Sequence, residues 1–203
     1  MKRMNGWIAG IAVAALSLAL GAPAFAEDKK PAMSADEQAM MEAWAKAGSP
    51  GEAHKKMAEE AGSYDMKVTS WNAPGMPPTE EKGTATRKMI MDGRVMVEDV
   101  TTTMMGMPFK GQGMRGYDNV SGKYWGTWVD SMSTGMMVSE GTCDDKGTCN
   151  FTGTMNDPIT KKPSTMRMTS RRQDAKTEIF EMYGPGPDGK EMKMMEIAYT
   201  KKS

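Results

Sequence analysis

From position 64 to its end, this chain is a series of ten short strand-like runs, and no helical pattern separates one from the next. The runs are 64–71, 83–91, 94–103, 111–117, 123–130, 136–142, 149–155, 165–172, 177–183 and 191–201. Turn-forming residues break them: a Pro/Gly-rich loop at 72–78, then Asp92-Gly93, Asp118-Asn119, Asp144 to Gly147, Asn156-Asp157-Pro158 and Pro185 to Gly189. Asp-Gly between two strand-like runs is a strong hairpin signal, because both central residues of the tight turn need positive φ. Parallel strands need long crossovers, and none are present, so the strands are expected to pair antiparallel with their sequence neighbours. Such a meander closes into a barrel or folds into a sandwich, which removes or protects its edges.

Two helices are expected ahead of the strands. Ser34 stands three residues before Glu37, a capping-box spacing, and predicts a helix over 35–47 that Gly48 ends. Ser49-Pro50-Gly51-Glu52 repeats the start signal and predicts a second helix running to about residue 61, stopped by Gly62.

The first 26 residues read as a cleaved secretory signal. Lys2 and Arg3 form the charged start, 8–20 is a short apolar run, and Ala24-Phe25-Ala26 is an A-x-A cleavage site. The run is too short to span a bilayer comfortably, and nothing later reaches the length a span needs. The expected organisation is a signal at 1–26, a leader and short helix at 27–48, and one β-domain at 49–203. The expected compartment is the periplasm, or the medium if the protein is released, with no membrane association after cleavage. Without Lys2 and Arg3 the chain carries 24 basic and 26 acidic residues, so it offers no electrostatic reason to bind nucleic acid. Cys143 and Cys149 flank a turn-like Asp145-Lys146-Gly147. In an oxidising compartment this pair is expected to form a disulfide that staples a hairpin.

Composition matters most at methionine. The chain has 25 Met, and its only leucines are Leu16, Leu18 and Leu20, inside the signal. A domain must bury large aliphatic side chains to offset chain entropy, and Met exchanges with Leu at modest cost. The simplest expectation is that Met fills the core. Two sharper readings accompany it. Residues i and i+2 of a strand share a face, and Met89/Met91, Met105/Met107, Met166/Met168 and Met192/Met194 have that spacing. Paired thioethers are soft ligands that select Cu(I). Exposed Met, alternatively, consumes oxidants reversibly.

No catalytic arrangement is legible. The only histidine, His54, falls on the second predicted helix without an evident partner. There is no G-x-S-x-G, phosphate-binding loop or H-E-x-x-H motif. Gly111, Gly113 and Gly116 spell G-x-G-x-x-G, but no helix follows, as a dinucleotide site requires. Asp130, Glu140, Glu181 and Glu196 are the acids from which an enzyme with carboxylates inside a barrel would draw its acid–base pair.

Several strings together resemble the bacterial domain of unknown function 1579 (DUF1579) family. They are GEAHKKM at 51–57, Asp92-Gly93-Arg94, MPFKGQGMRGYDNVSGKYWGTWVDS at 107–131, Glu140-Gly141, Asn156-Asp157-Pro158 and PDGKEMKMMEIAYT at 187–200. The resemblance spans roughly residues 48–201. It implies a mainly β, lipocalin-like antiparallel barrel with a short N-terminal helix, and it implies no established activity. Cys143 and Cys149 are not part of the family pattern. A small closed barrel can hold one small ligand. The expectation that follows is a binding protein for a small apolar or amphipathic molecule, with Tyr117, Tyr124, Trp128, Asp130 and Tyr183 as lining residues. Alternation puts Tyr124, Gly126, Trp128 and Asp130 on one face of the run 123–130.

Overall fold

The computed structural model describes residues 33–203; the expected export signal lies outside the described residues. Helices α1 (Ala35–Gly48) and α2 (Glu52–Glu59) precede β1 (Gly62–Ser70), β2 (Thr79–Ile90), β3 (Val95–Met104), β4 (Met107–Asp118) and β5 (Lys123–Asp130). They are followed by β6 (Met137–Cys143), β7 (Cys149–Asn156), β8 (Pro163–Arg172), β9 (Thr177–Pro185) and β10 (Glu191–Lys201). Every strand pairs antiparallel with its neighbours in sequence, and β1 pairs with β10 from Tyr64↔Lys201 to Ser70↔Met195. The sheet therefore closes into a barrel and not a sandwich, and no edge is left unpaired.

Two hairpin turns correct the predicted Met pairs. Met91, Asp92 and Gly93 all have positive φ, and so do Met105 and Gly106. Met91 and Met105 therefore sit in turns and are exposed. Neither Met89/Met91 nor Met105/Met107 lies along one strand, because the tight turn claims one member of each pair.

The barrel has two different ends. One carries α2, the turn after β2 and the β6–β7 hairpin, which the Cys143–Cys149 disulfide closes. Inside that hairpin the Asp144 carboxylate accepts from the N–H groups of Lys146 and Thr148 at 2.9 and 2.8 Å. The other end carries the 71–78 and 131–136 loops and forms the mouth.

Helix α1 has the expected capping box between Ser34 and Glu37, but none of its residues is buried. Asn119 tethers it by donating to the carbonyls of Lys46, Ala47 and Ser49, and Arg94 donates to Gly48 at 2.9 Å. Helix α2 starts later than Ser49-Pro50 predicted. Gly51 is its N-cap, and His54 Nδ1 accepts the Gly51 N–H at 3.0 Å. Met57, 1% exposed, enters the lower core beside Met96, Tyr124, Phe151 and Met168, so α2 plugs that end of the barrel. A second cluster of Met66, Val68, Ala85, Val100, Phe109 and Ile197 fills the wall formed by β1 and its neighbours.

Candidate functional site: the barrel cavity

Alternation along the strands turns one set of side chains inward. On β3 these are Met96, Glu98, Val100, Thr102 and Met104; on β9 they are Glu178, Phe180 and Met182. They enclose a cavity of about 360 Å³, within the range of small-molecule sites. Its wall is mainly apolar. Trp128, Phe109, Phe151 and Phe180 contribute rings, and ten methionines contribute flexible thioethers.

Glycine makes room for the largest ring. Gly111 and Gly113 on β4 face the Trp128 indole of β5, and a methyl group on Gly111 would overlap that ring. Gly116 holds the same relation to Trp125, its direct cross-strand partner. The G-x-G-x-x-G letters are therefore slots for two indoles. The Trp128 indole N–H donates to Asp130 at 3.1 Å, and the same carboxylate accepts the Met132 N–H at 2.9 Å. Asp130 thus fixes the ring and ties the mouth loop to the wall.

The floor is charged. Arg87, 6% exposed, donates from Nε to Glu98 at 2.7 Å and from its terminal nitrogens to Glu178 at 2.5 and 3.4 Å. Glu60, at the end of α2, lies 3.7 Å from Arg87 and also pairs with Arg115. Ser170 Oγ donates to Glu178 at 2.8 Å. The rings of Tyr64 and Tyr199 cover the guanidinium, with centroids 4.8 and 4.5 Å from Cζ. Burial opposes the Arg87 charge, but Glu98 and Glu178 outweigh it and raise its pKa well above the ordinary value. Burial likewise opposes the Glu178 charge, yet the Arg87 guanidinium holds that carboxyl below its ordinary value. Burial pushes the Tyr199 hydroxyl up, with Glu98 adding to the effect, so it stays protonated.

Of the residues expected to line the site, Trp128 and Asp130 do so. Tyr117 and Tyr124 are cross-strand partners on the inner face, but they pack below the cavity, 4.9 Å apart, against His54 and Phe151. His54 is buried there as a helix-capping acceptor. Tyr183 is a correction. It alternates with the inward Met182, lies under Arg167 at 3.9 Å, and lines no part of the cavity. The barrel acids are corrected in the same way. Glu140 is exposed and pairs with Lys123, while Glu181 and Glu196 share Lys193, so Asp130 is the only one of the four at the cavity. The carboxylates that do converge, Glu60, Glu98 and Glu178, carry no motif. Only the inward register of Arg87 within an otherwise apolar alternation could have pointed to them.

The crystal structure of Rv2717c from M. tuberculosis shares this fold, with a TM-score of 0.60 at 11% identity. The match covers 76% of this chain and all of that one. No curated protein matches the sequence. The family model described as "Protein of unknown function (DUF1579)" matches residues 49–201, the whole barrel and α2, and the chain belongs to that family.

Proposed function

We propose that the protein binds a small apolar or amphipathic molecule in the barrel, outside the cytoplasm, with any polar end resting on the Arg87 floor. The observation that carries this reading is the cavity, which joins a largely thioether and aromatic wall to the charged Arg87 floor. Met side chains adapt to irregular shapes, which suits a range of related ligands. The disulfide is compatible with an oxidising compartment and supports export.

The floor also selects the ligand's charge. A free arginine fork would welcome a carboxylate. Here the fork is occupied, and Glu98 and Glu178 line the cavity beside it. Across the whole cluster, Glu60, Glu98 and Glu178 outnumber Arg87 and Arg115. An anionic head would meet fixed negative charge, so the head group is a neutral donor or an amine.

The test is displacement of a neutral fluorophore, phenylnaphthylamine, by an alcohol, an amine and a carboxylate of equal chain length. The alcohol and amine are expected to compete, and the carboxylate to bind at least about tenfold more weakly, or about 1.4 kcal/mol. A carboxylate that binds best defeats the head-group assignment. If the fluorophore and all three chains fail to bind, the cavity is not a ligand site. Trp128→Ala should alter affinity in either direction, since the indole forms part of the wall.

A further inference from the structure

Two thioethers converge on Gly184 at the mouth end of the inner face. Gly184 lies on β9, flanked by β8 and β10, and continues the inward set of Phe180 and Met182. A methyl group placed on its Cα would lie 2.5 Å from Met194 Sδ and 2.6 Å from Met166 Sδ. The two sulfurs are therefore no further apart than the sum of those distances, 5.1 Å. They reach this point from different strands, Met166 from β8 and Met194 from β10. Met194 is the extra residue of a register shift in β10, where Lys193 opposes Tyr183 and Met195 opposes Met182. That bulge re-aims its side chain, as bulges do. Met192 is nearby. It opposes Gly184 in the ladder, and its Sδ lies 3.1 Å from where a methyl on Gly186 would sit.

We infer that Met166 and Met194 form a site for a single soft monovalent ion, Cu(I), with Met192, on the rung opposite Gly184, supplying a third donor. Thioether sulfur prefers Cu(I) to the hard cations, and two or three such donors meet its low coordination demand. All three side chains are half-buried, so an ion can reach them from the mouth. Met has three rotatable bonds, which lets the sulfurs close from their present spacing onto an ion. The neighbouring cations are engaged elsewhere: Lys193 pairs with Glu181 and Glu196, and Arg167 with Glu191. No i, i+2 pair of the sequence supplies both sulfurs at Gly184: Met166 is joined by Met194 from another strand and not by Met168. The site is separate from the cavity lining, so its failure would leave the ligand proposal standing.

The test is anaerobic titration of the folded protein with Cu(I) against a competing chelator. The expected result is one equivalent bound more tightly than micromolar, with a sulfur-only first shell by X-ray absorption. Met166→Leu and Met194→Leu keep volume and shape and should each weaken binding at least tenfold, while Met40→Leu with Met41→Leu, both exposed on α1, leaves it unchanged. On the unaltered chain, methionine methyl NMR should show two or three signals shifting with the first equivalent. This last readout stands even if a variant fails to fold. No binding tighter than micromolar, full binding by the Met166→Leu/Met194→Leu double variant, or shifts spread over many methyl groups would each overturn the assignment.

Discussion

Arg87 shows how far a single residue organises this barrel. It is nearly buried, and three carboxylates depend on it. Arg87→Met keeps the apolar stem but leaves Glu98 and Glu178 without their counter-charge, and removing one partner of a buried pair costs ~3–5 kcal/mol. Lys55→Ala, which breaks the exposed pair with Glu52, should leave stability nearly unchanged, because solvent screens that pair. Chemical denaturation of both variants checks the contrast, and similar losses would show that the floor network is not special. The same cluster sets a pH dependence. The folded protein holds Glu178 below its ordinary value of 4.5, despite the burial that works the other way, so the folded state binds that proton more weakly than the unfolded chain does. Its contribution is complete above 4.5 and fades as pH falls below that value through the folded pKa. Glu178→Gln should flatten the acid limb of a stability–pH curve. A limb that keeps its slope in the variant would assign acid sensitivity to other groups.

Among the elements, the β6–β7 hairpin rests most visibly on a covalent tie. Cys143 and Cys149 are opposite one another in the ladder, and the loop they close is short, so chain-entropy reasoning puts the disulfide at about 2 kcal/mol. The Cys143→Ser/Cys149→Ser variant should lose about that much, measured by thermal unfolding, with the barrel otherwise intact. This hairpin was legible in the sequence, as were the ten strands and the Asp92-Gly93 turn, because turn chemistry and period-two alternation are local signals. Other features were not. The first residues of β2, 79–82, are polar on both faces and show no alternation; β1 holds them by pairing, with Lys67 reaching Glu80 at 2.7 Å. The start of β4 was hidden by Pro108, which argues against a strand, and by a Met105-Gly106 turn that lacks the usual Asn or Asp. Helix α2 begins where His54 can cap Gly51 and Met57 can plug the barrel, and that is decided by tertiary packing more than by Ser49-Pro50. The inward lining of Trp128 and Asp130 was readable from alternation. The burial of Tyr117 and Tyr124 beneath a helix, and the convergence of Glu60 with Glu98 and Glu178, depend on how distant segments meet.

At the scale of the whole molecule, methionine occupies two kinds of position that composition alone merges. Met57, Met66, Met96 and Met168 are buried in the core, as a chain without leucine in its barrel requires. Among the described residues ten others are exposed, including Met76, Met105, Met107, Met132 and Met136 around the mouth and Met40 and Met41 on α1. A core filler gains nothing from that exposure, so those positions fit the oxidant-consuming reading better than the packing one. Sulfoxide is polar: at an exposed site it costs little, whereas in the core it disrupts packing. Mild peroxide is therefore expected to oxidise the exposed set first, followed by peptide mass spectrometry over time, while the melting temperature stays nearly constant. Loss of structure should begin only when the four buried residues react. Methionine sulfoxide reductase should then return the early product, and not the late one, to its starting mass with the fold unchanged. If unfolding accompanies the first oxidations, the exposed methionines contribute to the fold and the barrel is not an oxidant sink.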